Sequence, residues 1–80
     1  MKYRVLHRSK NRFHLDLCQR RFTQEEADTL YYTLMNRDEV ESVQVYVRTA
    51  QLTVKYYGKA EAVLLDYIGG LSLKQPELQD

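Results

Sequence analysis

The chain has 80 residues, of which 44% are apolar and 29% charged, with a formal net charge of +1 at pH 7. That length closes one core and no more, and that balance of residues excludes intrinsic disorder. Nothing reaches the run of about 18 apolar residues that a membrane-spanning helix needs. A single cysteine cannot form an internal disulfide, and the opening MKYRVLHRSK lacks the apolar run of a secretory signal. Both features set the expectation of a cytoplasmic protein.

The charge is unevenly spread. Residues 1–21 hold seven basic side chains (Lys2, Arg4, Arg8, Lys10, Arg12, Arg20, Arg21) against one acidic, Asp16, for a net +6. Residues 22–80 hold five basic and ten acidic, for a net −5. A folded domain with that asymmetry has a dipole able to orient it against a partner. The plainer reading is a solvated surface of mixed sign.

Residues 3–8 and 12–18 both read as extended. In the second, Phe13, Leu15 and Leu17 alternate with Arg12, His14, Asp16 and Cys18, the period of a half-buried strand. Asn11, between them, tolerates the left-handed backbone of a turn or bulge. A hairpin and one long bent strand are both compatible with this pattern. Thr23-Gln24-Glu25-Glu26 is then a capping box that opens a helix, and Asn36 is a plausible end for it. Ala27, Leu30, Tyr31 and Leu34 define its buried stripe.

Val43, Val45 and Val47 next alternate with Ser42, Gln44, Tyr46 and Arg48; after the short turn Arg48-Thr49-Ala50 the pattern resumes at Leu52, Val54 and Tyr56. This is a hairpin. Gly58 ends it. A second helix over about 59–69 presents Ala60, Val63, Leu64, Tyr67 and Ile68 on one face, and Gly69-Gly70 stops it. Leu71-Ser72-Leu73 is a candidate last strand. The expected fold is an α+β, ferredoxin-like βαββαβ sandwich: a four-stranded antiparallel sheet with both helices on one face. The domain is expected over 1–74, with 75–80 as a tail or the start of a linker.

VESVQVYVRTAQLTVKYYG (Val40–Gly58) resembles the central hairpin of heavy-metal-associated domains, with its GV-x-SV-x-V, turn and valine-rich strand. KNRFHLDL (Lys10–Leu17) resembles the PGR-I-R-L-R-L strand of a divergent subgroup at the cytosolic N-terminus of bacterial heavy-metal-transporting P-type ATPases. The resemblance covers roughly residues 3–73. It implies a regulatory or docking domain attached to a membrane-embedded cation pump, on the cytosolic face of the membrane. The domain itself would not be catalytic, and D-K-T-G-T, the aspartyl-phosphate sequence of such pumps, is absent from the chain.

Two departures qualify the metal chemistry. Ordinary family members carry C-x-x-C before the first helix, where two thiolates bind a soft metal ion. Here the loop reads Cys18-Gln19-Arg20-Arg21, so a cation stands where the second thiolate should be, and Lys10-Asn11 replaces the subgroup's Pro-Gly. Cys18 remains a weak metal candidate, and no cofactor is expected. A permanently charged Arg20-Arg21 pair could instead imitate the metal-loaded state, or engage acidic or anionic-lipid surfaces. Arg4, Arg8 and Arg12 would reinforce it if they share a sheet face.

Other constellations are weaker. His14, Asp16 and Cys18 alternate on one strand and so point to the same face, but positions i and i+4 of a strand lie roughly 13 Å apart, too far for one ion without further ligands or a bend. His7 reads as a surface or sheet-edge residue. Cys18 has Arg20 and Arg21 nearby, yet no motif supplies the general base a nucleophile needs, and it reads as a bystander. Arg12, His14, Tyr46, Lys55 and Tyr57 are expected on the open sheet face. That face suggests self-association or, as an alternative function, a free-standing nucleic-acid-binding domain with the topology of RNA-recognition motifs. The missing basic-Gly-aromatic start and the near-neutral net charge argue against nucleic acid.

Overall fold

A computed structural model describes residues 1–71. Its elements run β1 (Arg4–Ser9), β2 (Arg12–Asp16), α1 (Gln24–Met35), β3 (Val40–Tyr46), β4 (Gln51–Tyr56) and α2 (Glu61–Gly69). The four strands form one antiparallel sheet in the order β1-β2-β4-β3. β2 and β3 both run antiparallel to β4 and flank it, so α1 joins two parallel strands across an intervening one. This is the split unit of a ferredoxin-like α+β fold.

The first two extended segments form a hairpin, and β1 therefore supplies the edge strand beside β2. The candidate strand Leu71-Ser72-Leu73 and the tail 75–80 lie, from residue 72 on, outside the described residues. The hairpin turns through Lys10 and Asn11, with Asn11 at φ +62°. The Asn11 side-chain amide donates to the carbonyls of Tyr56 (2.9 Å) and Gly58 (3.0 Å), and Tyr56 N–H donates back to Asn11 O (3.0 Å). One residue thus makes the turn and clamps it to the end of β4. A bulge in β1 between Val5 and His7 shifts the register. Before it, Arg4 lies opposite Asp16; after it, Arg8 lies opposite Phe13 and turns towards α2, where it pairs with Glu61 at 3.3 Å. Arg4 and Arg12 therefore share the open face, while Arg8 does not.

α1 begins at the expected capping box. Thr23 Oγ1 accepts from Glu26 N–H (3.1 Å) and Glu26 Oε1 accepts from Thr23 N–H (3.0 Å). α2 has no side-chain cap at its start. The α-ammonium of Met1 donates to the carbonyls of Gly69 (2.8 Å) and Leu71 (2.7 Å), placing positive charge at the negative end of the α2 dipole. Arg37, just past α1, binds Glu39 through both Nε (3.1 Å) and a terminal nitrogen (3.0 Å) and lies 4.2 Å over the Tyr67 ring. That cation–π contact ties the loop before β3 to α2.

The core lies between the helices and the inner sheet face. Phe13, Leu15, Leu17, Leu30, Leu34, Leu52, Val54, Leu64 and Ile68 are completely or nearly completely buried, joined by Ala27, Val43, Tyr56 and Ala60. Tyr31 and Val63, expected in the buried stripes of their helices, stand at the margins and are 37% and 52% exposed. Each helix thus buries a narrower stripe than its apolar pattern allows, Ala27, Leu30 and Leu34 on α1 and Leu64 and Ile68 on α2.

Candidate functional site

Two surfaces gather the residues with chemical potential. The first is the loop between β2 and α1. Leu17 is fully buried and its N–H donates to the Ala50 carbonyl (2.9 Å); Phe22 is buried at the far end. Between these anchors Cys18, Arg20 and Arg21 are exposed and Gln19 is half-buried. Cys18 has φ +56° and its N–H donates to Asp16 Oδ1 (3.0 Å), so the chain leaves the strand in a side-chain-stabilised turn.

That turn revises one expectation. β2 ends at Asp16, so Cys18 does not continue the alternation of His14 and Asp16. Cys18 Sγ lies 3.7 Å from the Asp16 carbonyl, to which it donates. Asp16 accepts from Arg4 (3.0 Å) as well. The Cys18 N–H, and after it the Arg4 guanidinium, hold the Asp16 carboxyl below its usual range despite an opposing effect of desolvation. Among the described residues no three His, Cys, Asp or Glu side chains are grouped so as to hold a metal ion.

Arg20 and Arg21 stand just before the Thr23 cap, near the positive end of the α1 dipole. A cation is disfavoured there, and Glu25 and Glu26 in the first turn offset it. Neither arginine makes an ion pair within 4 Å among the described residues.

The second surface is the open sheet face. The register places His7 and Ser9 of β1, Arg12, His14 and Asp16 of β2, Gln51, Thr53 and Lys55 of β4, and Ser42, Gln44 and Tyr46 of β3 on it. Thr53, directly across from His14, approaches His14 Nδ1 at 2.6 Å, while His14 Nε2 lies 2.8 Å from Gln51 Oε1. Since Gln51 Oε1 can only accept, Nε2 carries the proton and Thr53 donates to Nδ1 in the neutral imidazole. Tyr46 packs its ring against His14 (centroids 5.9 Å apart, tilted 47°), and its hydroxyl donates to Gln44 Oε1 (3.0 Å).

Arg12 and Lys55 are direct cross-strand partners and line a shallow depression of about 410 Å³ with Ser42, Gln44 and Thr53. A second depression, about 250 Å³, continues it past His7, His14 and Tyr46. Tyr57 lies one residue beyond β4, exposed, with its N–H donating to the Glu39 carbonyl (2.8 Å).

The structure thus brings Arg12, His14, Tyr46 and Lys55 onto one face and sets Cys18, Gln19, Arg20 and Arg21 apart in the loop. Sequence reasoning passed over Ser42, Gln44 and Thr53. Their alternation with valine and leucine was the available signal, but only the register shows which of them lie beside Arg12. Compared with protein-family models, curated proteins and solved structures, the chain matches none of them.

Proposed function

We propose that this domain is a non-catalytic docking module, the cytosolic regulatory appendage of a cation-transporting P-type ATPase, engaging its partner through the Arg20-Arg21 loop without a bound metal. The observation that carries the reading is that loop. Two exposed arginines, without ion-pair partners among the described residues, are held between the buried anchors Leu17 and Phe22. The heavy-metal-associated domains that this chain resembles keep their ion in the corresponding loop. A fixed pair of guanidinium groups presents positive charge there whatever the metal supply, since arginine stays charged at every physiological pH. The partner would be an acidic surface of the pump or the anionic membrane beside it.

Two tests apply. A reading frame that continues from this domain into membrane-spanning segments and D-K-T-G-T supports the reading; a frame encoding this domain alone overturns it. In solution, the double substitution Arg20→Glu/Arg21→Glu should leave the fold intact, because neither side chain enters the core. It should weaken flotation with phosphatidylserine-rich vesicles, or capture by the pump's cytosolic portion, by up to about 1 kcal/mol per charge at low salt. Unchanged association with both probes would remove the loop from the interface.

A further inference from the structure

The open sheet face carries a feature that the strands do not need for their own sake. Arg12 and Lys55 face each other directly across the β2–β4 ladder, an arrangement that disfavours pairing because like charges meet. Opposite charges at such positions would stabilise the sheet. Among the described residues Asp16 is the carboxylate in register on this face, already held by Arg4 at 3.0 Å, and Glu41 is the unpaired extra residue of the β3 bulge beside Ser42. Arg12 and Lys55 are exposed and make no ion pair within 4 Å among the described residues.

Two of the polar groups around the pair, Gln44 and Ser42, are left able to donate. Gln44 has its side-chain oxygen occupied by the Tyr46 hydroxyl, which leaves its amide N–H groups able to donate. Thr53 is occupied by His14, and Ser42 stands beside Lys55 as its neighbour on β3. A concave patch with two cations, an amide and a hydroxyl that can all donate suits a ligand made of acceptors.

We infer that the Arg12–Lys55 patch is a second docking site, for an acidic polypeptide segment presenting two carboxylates. Directly opposed residues of an antiparallel pair have Cβ atoms about 5 Å apart. Side chains at i and i+4 of a helix stand about 6 Å apart, so a glutamate pair at that spacing meets both cations at once. Two free cations are too few to track a nucleic-acid backbone, whose binding draws on one basic group per phosphate. Among the described residues the other acidic side chains lie on α1, on α2 and in the loop before β3, apart from Glu41 at the β3 bulge beside Ser42, and none of them pairs with Arg12 or Lys55 within 4 Å. The site is at the end of β2 away from the Arg20-Arg21 loop, and the inference stands whatever that loop meets.

The experiment is titration of the isotope-labelled domain with an alanine-rich helical peptide carrying glutamate pairs at i and i+4, followed by backbone amide shifts. The expected shifts cluster at Arg12, Ser42, Gln44, Thr53 and Lys55, weaken with salt and disappear for the same peptide with glutamine. Arg12→Gln/Lys55→Gln should lower the affinity about ten-fold, while Arg20→Glu/Arg21→Glu leaves the open-face shifts in place. Absence of open-face shifts at low salt overturns the inference. So does a shift pattern confined to residues 18–21, or a single-stranded oligonucleotide that binds the face more tightly than the peptide.

Discussion

The two faces of the sheet are built from alternate residues of the same strands and meet opposite requirements. On β2 and β4, Phe13, Leu15, Leu52 and Val54 are fully excluded from solvent, while Arg12, His14, Thr53 and Lys55 turn the other way. The inner face is apolar and closed by two helices. The outer face is polar, retains an unfavourable like-charge pair and leaves several donors unoccupied. A domain can tolerate poor pairing on one face because hydrophobic burial on the other carries the stability. Where stability does not require a residue, its identity is free to serve a partner.

That division can be broken or sharpened by substitution, and the largest effect is expected inside. Leu52→Ala should destabilise the domain by about 2–5 kcal/mol in denaturant unfolding, from lost burial and the cavity left behind. Its neighbour Thr53→Ala should cost about 1 kcal/mol, the value of one hydrogen bond to His14. Equal costs at the two positions would show that the open face is structural. Next comes Asn11, which holds the β1–β2 turn against β4. Asn11→Ala should cost about 3 kcal/mol, from two lost hydrogen bonds and a left-handed backbone imposed on alanine. Asn11→Gly, free of the backbone penalty, should cost less, and thermal unfolding of both variants separates the two causes.

A smaller effect of opposite sign is expected at the like-charge pair. Lys55→Glu should raise stability by about 0.5 kcal/mol by turning repulsion across the ladder into attraction. Loss of stability in that variant would show that the two cations are already relieved within the fold.

The smallest effect is the acid response of Asp16. Its folded-state carboxyl titrates below the unfolded one, because the Cys18 N–H and then Arg4 favour the charged form. Its contribution is therefore present above the ordinary aspartate range and is lost as the pH falls through the lower, folded value. Melting temperatures measured downward from about pH 5 should fall more steeply for the native chain than for Asp16→Asn.

Much of this molecule is local in origin, and the sequence by itself determined that part. The capping box at Thr23 and Glu26 lies within four residues, and the alternation along residues 12–17, 42–46 and 52–56 is a property of extended backbone; both can be read before anything folds. The paired strands, the two helices and the buried set from Phe13 to Ile68 follow from those periods. Tertiary structure alone decided the rest. Whether residues 3–18 form a hairpin depended on Asn11 reaching Tyr56 and Gly58, more than forty positions away in the chain. The β1 bulge sent Arg8 to the helix side and left Arg4 and Arg12 outside, which no regular alternation shows. The turn at Cys18 depended on the Asp16 side chain, and it removed the thiol from the strand face where the pattern had put it. The patch at Arg12 and Lys55 exists only through the β2–β4 register, because a one-residue slip would carry each side chain to the other face.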